Sequence, residues 1–389
     1  MKTSVIAFWL PLLIDGSVIR LEPRQSVGIL GQGGPMKKAL KIEQLPSKLN
    51  VTDAKRVRIT YGPYIIKGTK TAKGLGNARS MDSGGTSFAN GVDTDFPRDI
   101  TILKAYTDVQ NKAGKRMELK DGIYNHHTVF FDLNNRHASP YTCAAGKVGS
   151  KMATVPVFAA GATETTVQVY MASSGDVKSG YYLNKTGSIT NMIDLVNYNT
   201  EDQEVYTMTE LEYVPGKPAG YHDAYMTLID PGICGGPSGA AIHAPKGVNK
   251  FSINSSDILM NEPGHFVYTS GHMHDGGVNV ILKVNDEIKC DSKALYGGEG
   301  HTTVVDGKTW QTIRETTSCN QAIKVKKGDR IYMQANYDVE LHPSREMGGG
   351  HGGHGGMKWL SSAQAGSSMM DGGDAEQMAL FAAYFSPDN

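Results

Sequence analysis

Short runs of β-branched and aromatic residues recur along the whole chain, separated by glycine, proline, asparagine and aspartate. Residues 57–61, 100–106, 128–132, 166–171 and 205–214 are of this kind, and five more runs follow in the second half. Such runs are typical of strands, and the residues between them are typical of turns. Long helical periodicity is absent. The pattern predicts an all-β fold with two tandem antiparallel domains of the jelly-roll or β-sandwich type.

A segment rich in proline and glycine, residues 215–218, is the best candidate for a domain boundary. We expect an N-terminal β-sandwich over residues 55–215 and a C-terminal β-sandwich over residues 216–389. Residues 19–54 contain few strong apolar runs and are expected to form a leader or linker. A chain of 389 residues is long enough for two domains, each with its own hydrophobic core.

Residues 1–18 have the pattern of a secretory signal peptide. Lys2 supplies a positive charge, residues 5–14 form a short apolar core, and Gly16 and Ser17 offer small residues for cleavage. The apolar run is too short to span a bilayer, which takes roughly 20 residues. A buried N-terminal strand is the alternative interpretation. We therefore expect a secreted, extracellular protein.

Cysteines and glycosylation motifs fit an oxidising, extracellular compartment. The four cysteines are an even number, and of the three pairings we favour Cys290–Cys319, which falls within one predicted domain, together with Cys143–Cys234. Free, buried thiols are the alternative. Three triplets match the N-glycosylation motif and predict glycosylation at Asn50, Asn184 and Asn254.

The charge balance excludes two classes of partner. The chain has 39 Lys+Arg and 39 Asp+Glu, which gives a formal net charge of zero. Nucleic acids and anionic membranes both attract basic surfaces. We therefore expect no nucleic acid and no membrane as a partner. The expected partner is a substrate of unknown identity, either a small molecule or a peptide.

Two pairs of histidines are the strongest candidates for a functional site. His272 and His274 are two apart in a strand-like segment, so strand alternation sends both imidazoles to one face and Met273 to the other. His126 and His127 are adjacent and can share a metal only where the strand bends, as at a β-bulge. Imidazole ligands suit copper, zinc, iron and nickel. The two pairs together predict a metalloprotein.

The order of these motifs across two β-domains resembles the copper type II ascorbate-dependent monooxygenases, which include peptidylglycine α-hydroxylating monooxygenase and dopamine β-monooxygenase. The resemblance covers about residues 55–389, in sparse motifs. It implies two jelly-roll domains with one copper on each, facing one another across a solvent-filled cleft. It also implies ascorbate or another reductant, activation of dioxygen at the second copper, and hydroxylation of a C–H bond in the substrate.

Within this resemblance, the segment around His126 and His127 matches the motif of the first copper, and the segment around His272 and His274 matches that of the second. Met378 stands where the family has its copper-binding methionine, and a thioether favours Cu(I). The resemblance therefore implies one or two copper ions, with Met378 and the second histidine pair as the catalytic set. A core methionine is the alternative for Met378. Rival sulfur ligands in the preceding loop are Met347, Met357, Met369 and Met370.

Two departures from the family change what is expected. Asn197 stands where the third histidine of the first copper is expected, and an amide is a far poorer copper ligand. The first site is then weakened, lost, or completed by another group such as His137. Ser270, Leu380 and Ala382 stand where the family has the residues that anchor a peptide terminus, and none of the three can form an ion pair with its carboxylate. We therefore expect no peptide amidation.

Three functions remain in competition after these arguments. The first is a copper-dependent monooxygenase, and the second is a non-catalytic extracellular copper-binding protein on the same scaffold. The second is favoured by Asn197 in place of a histidine and by the glycine-rich tract with His351 and His354. The third is a structural or carbohydrate-binding jelly roll whose histidines are incidental. Zinc is an alternative metal, with candidate ligands His272, His274, Asp275 and Glu299.

Overall fold

The computed structural model of this chain describes residues 34–71, 85–92, 95–143, 156–164, 166–234, 241–242, 245, 247–305, 308–343 and 377–388. Within these ranges the regular structure is β-strand, apart from one turn of 3-10 helix at Leu119–Asp121. The prediction of an all-β fold is therefore confirmed. The predicted signal peptide, the tract with His351 and His354, and the four rival methionines lie outside the described residues.

The strands up to residue 223 form the first group. They are β1 (Gly34–Lys37), β2 (Lys41–Leu45), β3 (Lys55–Ile66), β4 (Thr86–Val92), β5 (Ile100–Gln110), β6 (Ile123–Asp132), β7 (Tyr141–Cys143), β8 (Val157–Gly161), β9 (Val167–Val169), β10 (Ser179–Leu183), β11 (Ile189–Asn197), β12 (Gln203–Pro215) and β13 (His222–Asp223).

The strands after residue 223 form the second group. They are β14 (Tyr225–Ile229), β15 (Ala241–Ile242), β16 (Lys250–Asn254), β17 (Ile258–Met260), β18 (Gly264–Met273), β19 (Gly277–Val284), β20 (Glu287–Tyr296), β21 (Thr302–Val305), β22 (Lys308–Gln311), β23 (Ile313–Thr316), β24 (Ser318–Cys319), β25 (Ile323–Val325), β26 (Arg330–Asp338) and β27 (Gln377–Pro387).

Two sheets pack face to face to form the first sandwich. One sheet has the order β1-β4-β11-β6-β8, and the other has the order β13-β10-β5-β12-β3-β2 with β9 on β5. Their inner faces meet through aromatic rings. The ring centroids of Tyr61 and Phe130 are 6.1 Å apart, and those of Phe158 and Tyr181 are 5.9 Å apart. Alternation along each strand therefore sends large side chains into one shared core.

Two more sheets form the second sandwich. One has the order β14-β27-β18-β24, with β15 on β27 and β25 on β18. The other has the order β23-β20-β19-β26-β17-β7, with β16 on β26. A buried hydrogen bond of 2.8 Å joins them, donated by the Tyr337 hydroxyl to the backbone oxygen of Met378. Strands β18 and β27, which carry the predicted second site, are therefore neighbours in one sheet.

Strands are exchanged across the expected boundary at residue 215. Strand β7 pairs with β17 of the second sandwich, and β13 pairs with β10 of the first. The disulfide Cys143–Cys234 also links β7 to the segment that follows β14. These contacts fasten the two sandwiches to each other, and the division into 55–215 and 216–389 stays a prediction.

Part of the expected leader is ordered. Residues 41–45 form β2, which pairs with the edge of β3, and residues 34–37 form β1, which runs parallel to β4. Among the predicted glycosylation sites, Asn50 and Asn254 are exposed and Asn184 is half-buried. Glycosylation stays a prediction. No helix in the described part of the chain is long and apolar enough to cross a membrane.

Both favoured disulfides are present. Cys143–Cys234 closes a loop with a sequence separation of 91 residues, and Cys290–Cys319 closes one of 29 residues. Each bond restricts the unfolded chain, and the longer loop loses more conformational entropy. The chain-entropy relation gives about 4.6 kcal/mol for the first bond and about 3.6 kcal/mol for the second.

We predict that the double variant Cys143→Ala/Cys234→Ala loses more free energy of unfolding than Cys290→Ala/Cys319→Ala, by about 1 kcal/mol. Urea unfolding followed by circular dichroism measures both values. The two double variants control for one another, because each removes one disulfide and leaves no free thiol. A larger loss in the second variant would contradict the entropic account.

Candidate metal centre

The local structure of β18 places His272 and His274 on one face of its sheet. Gly271 lies on the opposite face, where its N–H donates to the Ser292 hydroxyl at 2.8 Å. A Cβ at this glycine would lie only 2.9 Å from Cβ of Val280, so the strand rests directly against the second sheet. The His272 and His274 rings consequently project outward, with centroids 5.7 Å apart.

A tight turn follows these histidines and is held by side chains. Gly276 adopts a φ of 96°, which a residue with a side chain rarely tolerates. The Tyr296 hydroxyl accepts from the Gly276 N–H at 3.0 Å and donates to the Gly277 oxygen at 2.9 Å. The ring of His342 stacks on Tyr296 with centroids 3.8 Å apart. His342 therefore supports the turn through Tyr296.

The carboxylate of Asp275 is hydrogen-bonded to the segments that hold the same turn. It accepts from the Trp310 indole N–H at 2.9 Å and from the Ile313 N–H at 3.2 Å. Burial raises the pKa of Asp275 to about 7, against the effect of these hydrogen bonds. Glu299, the other carboxylate of the zinc alternative, is exposed and pairs with Lys120 at 3.1 Å. Asp275 thus acts as a support of the turn in this structure.

A β-bulge in β6 brings His126 and His127 together. Along the ladder with β11, His127 pairs with Asp194 and Asn125 pairs with Leu195. His126 is therefore the extra residue of the bulge. Adjacent side chains in a regular strand would point to opposite faces, but the bulge leaves the two imidazole centroids 4.5 Å apart. This is the bend that sharing of one metal requires.

The four imidazoles form one cluster drawn from both sandwiches. The centroids of His126 and His274 are 6.0 Å apart, and those of His127 and His272 are 6.2 Å apart. Together with the distances within each pair, these contacts close a four-sided ring. The arrangement differs from the one implied by the family resemblance, in which the two pairs face each other across an open cleft.

The protonation state of His127 suits metal binding, and two ring nitrogens of the cluster lack a partner. Burial and the neighbouring imidazoles of His126 and His272 hold the pKa of His127 well below its usual range. Within the described residues, Nδ1 of His127 and Nε2 of His272 are buried and have no hydrogen-bond partner. Buried polar atoms are rarely left without a partner, and neutral imidazole is the form that binds a metal. Nδ1 of His127 is therefore a candidate donor to a metal, and Nε2 of His272 is one when its ring is neutral.

A carboxylate that sequence reasoning did not identify completes the cluster. Glu164, in the loop between β8 and β9, accepts a 2.6 Å hydrogen bond from Nδ1 of His272. Burial alone would raise the pKa of Glu164, but the charge and hydrogen bond of His272 lower it to about 2. Burial alone would lower the pKa of His272. The charge and hydrogen bond of Glu164 have the larger effect and raise it. No motif surrounds Glu164, so only the three-dimensional contact identifies it.

A buried ion network supports the Glu164 loop. Arg116 pairs with Asp108 at 2.6 Å and with Glu118 at 3.1 Å, and it donates to the backbone oxygen of Thr163 at 3.1 Å. The Thr163 hydroxyl in turn donates to the backbone oxygen of Asn125 at 3.1 Å. The network therefore ties the loop of Glu164 to the residue that precedes the β6 bulge.

The register of β27 places Met378 beside the second histidine pair. The His274 N–H donates to the Met378 oxygen at 2.9 Å, and His272 pairs with Leu380 in the ladder of β18 and β27. Residues paired across a ladder lie on the same face of the sheet, and so do residues two apart in one strand. Met378 therefore lies on the same face as His272 and His274. Met378 is buried, with 6% of its surface exposed.

The cluster opens into a cleft of about 330 Å³, a volume that includes the space at its mouth. Residues of both sandwiches line it, including Tyr124, His126, Glu164, His272, His274 and Thr312. His301 is buried behind this wall, with its Nδ1 3.4 Å from the Thr312 hydroxyl. The cleft is therefore a space shared by the two halves of the molecule.

Each pair of neighbouring rings has a spacing compatible with two imidazoles on one transition metal. A metal–nitrogen bond of about 2.0–2.1 Å places two imidazole centroids on one ion roughly 4.5–6.4 Å apart, depending on the angle between them. The four measured centroid distances run from 4.5 to 6.2 Å. Among the described residues, no group of three His, Cys, Asp or Glu side chains is already in a metal-holding arrangement. Neighbouring rings of the described cluster are thus at ligand spacing in pairs, but their donor atoms are not arranged around one point.

Two residues considered for the first copper site lie elsewhere. His137 stacks on Tyr225, with centroids 4.0 Å apart, and does not line the cleft. Asn197 is buried, and its amide donates to the backbone oxygens of Ile66 at 3.2 Å and Glu201 at 2.9 Å. Its side chain therefore holds the backbone at the end of β11.

Comparisons with known proteins find one family model and two relatives described as probable copper-dependent oxygenases. The model of the family described as "Stress up-regulated Nod 19" matches residues 240–349, which include His272 and His274. The chain is 22% identical over 296 residues to "Probable copper-dependent oxygenase M1" of Phoma sp. (strain ATCC 20986 / MF5453), covering 76% of this chain and 68% of that protein. It is also 22% identical over 227 residues to "Probable copper-dependent oxygenase clz3" of Cochliobolus lunatus, covering 58% and 67%.

The chain is thus weakly similar to proteins described as copper-dependent oxygenases. The narrower resemblance to the peptidylglycine and dopamine monooxygenases stays a prediction. One solved structure, from Eubacterium rectale, aligns over 79% of this chain and 70% of its own, with 10% identity and a TM-score of 0.17. A likeness at that level carries no structural argument.

We predict that Arg116→Met lowers the free energy of unfolding by about 1.5–3 kcal/mol, because the buried carboxylate of Asp108 loses its charged partner and keeps, among the described residues, only the Tyr106 hydroxyl and the Val109 N–H. The matched control is Arg330→Met, which removes the exposed pairs of Arg330 with Asp257 and Asp286 and should cost less than about 1 kcal/mol. Chemical denaturation measures both. Equal losses in the two variants would contradict the structural role assigned to the Arg116 network.

Proposed function

We propose that this protein is a copper-dependent oxygenase whose metal is held by His126, His127, His272 and His274, with Met378 as a sulfur ligand. The observation that carries the proposal is the meeting of two histidine pairs from opposite sandwiches in one cleft. Similarity to proteins described as copper-dependent oxygenases supports the choice of metal. The centre takes one or two copper ions.

The ligand chemistry favours copper over zinc. Imidazole accommodates both oxidation states of copper, and a thioether is a soft ligand that favours Cu(I). When bound, copper activates dioxygen for the hydroxylation of a C–H bond, with ascorbate or another reductant as the source of electrons. Zinc also binds sets of three imidazoles, so the thioether of Met378 is the ligand that separates the two metals. Asp275, a carboxylate of the zinc alternative, already accepts two hydrogen bonds from the supporting turn.

The protein groups prepare the cleft for this chemistry. His127 is kept neutral by burial, so a donor nitrogen is available at neutral pH. The described residues that line the cleft include the ionised Glu164 and no lysine or arginine, which disfavours an anionic substrate. Ser270, Leu380 and Ala382 likewise offer no cation for a carboxylate terminus.

An extracellular location belongs to the same proposal. The two disulfides form readily in oxidising compartments and are rare in the cytosol. We propose that the N-terminal segment directs secretion and that Asn50, Asn184 and Asn254 carry glycans. A peptide or small molecule in that compartment is then the substrate, with neither nucleic acid nor membrane as a partner.

A non-catalytic copper-binding protein is the second candidate, and the number of imidazoles favours it. Catalytic metal sites keep an open coordination position, whereas structural sites are closed by protein ligands. If all four imidazoles bind a single ion, no position is left for dioxygen. The oxygenase proposal therefore requires either two ions or fewer than four imidazoles on one ion.

We predict that the purified protein holds one or two copper ions per chain and that His272→Ala/His274→Ala loses at least one of them. Elemental analysis of the dialysed protein measures the copper content. The control is His222→Ala/His265→Ala, which removes two histidines away from the cleft and should keep the copper of the unchanged protein. Full copper content in the first double variant would exclude the proposed centre.

Copper X-ray absorption tests the sulfur ligand. In the Cu(I) form we expect a sulfur scatterer that is lost in Met378→Leu and kept in Met260→Leu, because Met260 lies in β17 of the other sheet and does not line the cleft. Retention of the sulfur signal in Met378→Leu would exclude Met378. Oxygen consumption with ascorbate, corrected for free copper, then separates the oxygenase from the binding protein, since only the oxygenase consumes oxygen in a substrate-dependent way.

A further inference from the structure

The contact between Glu164 and His272 joins the two sandwiches inside the cleft. Glu164 belongs to the loop after β8 of the first sandwich, and His272 belongs to β18 of the second. Their atoms Oε1 and Nδ1 are 2.6 Å apart, and the exposed fractions of the two side chains are 12% and 19%. An ionised carboxylate can only accept a hydrogen bond, so Nδ1 of His272 carries the proton.

This hydrogen bond determines which nitrogen of His272 is free. With Nδ1 protonated, the lone pair of a neutral ring is on Nε2. Nε2 of His272 is buried and has no hydrogen-bond partner among the described residues. A carboxylate that binds one nitrogen of a metal-ligating histidine typically fixes both the tautomer and the orientation of the ring.

The Glu164 loop is itself held firmly enough to act in this way. Arg116 donates to the oxygen of Thr163, the residue just before Glu164, and the Thr163 hydroxyl donates to the oxygen of Asn125, the residue just before His126. Gly161 lets the loop leave β8 close to β5, because a Cβ there would lie 2.0 Å from the Thr107 oxygen. The loop is thus anchored to both the ion network and the β6 bulge.

We propose that Glu164 is a positioning residue that fixes His272 in the tautomer with Nε2 directed at the metal, and that the first sandwich thereby orients a ligand of the second. This inference rests on the proposed function. Loss of Glu164 should weaken metal binding although every histidine remains. Substitution of such an outer partner typically lowers metal affinity 10- to 100-fold.

The test measures Cu(I) affinity by competition with a chromogenic Cu(I) chelator, together with ring-nitrogen NMR of the ¹⁵N-histidine-labelled, Cu(I)-loaded protein. In the unchanged protein, we expect His272 to show a protonated Nδ1 and a metal-bound Nε2. Glu164→Ala should weaken Cu(I) binding about 10- to 100-fold and lose this ring-nitrogen pattern. Glu164→Gln should recover most of the affinity, because the amide oxygen still accepts from Nδ1.

The matched control is Asp388→Ala, which removes the carboxylate 3.1 Å from Nδ1 of His265, a histidine–carboxylate pair in the same sandwich but outside the cleft. It should leave Cu(I) affinity and the His272 signals unchanged. Unchanged affinity and an unchanged His272 pattern in Glu164→Ala would overturn the positioning role. A metal-bound Nδ1 of His272 in the unchanged protein would also overturn it, and that measurement does not depend on the folding of any variant. Absence of any copper binding in the unchanged protein would instead reject the proposed function.

Discussion

One extra residue in strand β6 is the constraint on which the site depends. Strand geometry sends successive side chains to opposite faces, so adjacent histidines in a regular strand are separated by the sheet itself. The bulge at His126 removes that separation and lets His126 and His127 approach one another. The pair in β18 needs no distortion, because His272 and His274 are two residues apart. Two different local structures thus produce two pairs of imidazoles that can face each other.

Contacts between the sandwiches then decide how the pairs meet. Strand β7 pairs in the second sandwich, and the disulfide Cys143–Cys234 fastens it there. Inside the cleft the carboxylate of Glu164 reaches His272 across the interface. The ring centroids of the two pairs approach to 6.0 and 6.2 Å. A metal held by rings of both pairs would therefore be sensitive to how the sandwiches dock.

Local sequence rules predicted much of this arrangement. Period-two alternation put His272 and His274 on one face, and the same rule required a bend at His126, which the ladder with β11 contains. The favoured disulfide pairing is also present. These features depend on neighbours in the chain or on a small number of combinations. The all-β architecture follows in the same way from residue types that recur along every strand.

The remaining features depend on contacts between distant segments, which no local pattern encodes. Glu164 lies in a short loop without a motif, and it becomes significant only because β8 and β18 are close in space. Asn197 matches a ligand position in the family's motif, yet its amide donates hydrogen bonds to the backbone oxygens of Ile66 and Glu201. Residues 41–45 have few strong apolar residues, but as an edge strand they need to cover only one side of β3.

The central claim is that the histidine pairs of both sandwiches bind one metal centre. Anomalous diffraction from crystals of the copper-loaded protein, measured at the copper absorption edge, tests it most directly. We predict anomalous density enclosed by the four rings, with nitrogen ligands from at least one histidine of each pair at about 2.0–2.1 Å. Density on one pair alone, or only in the tract that contains His351 and His354, would contradict the claim.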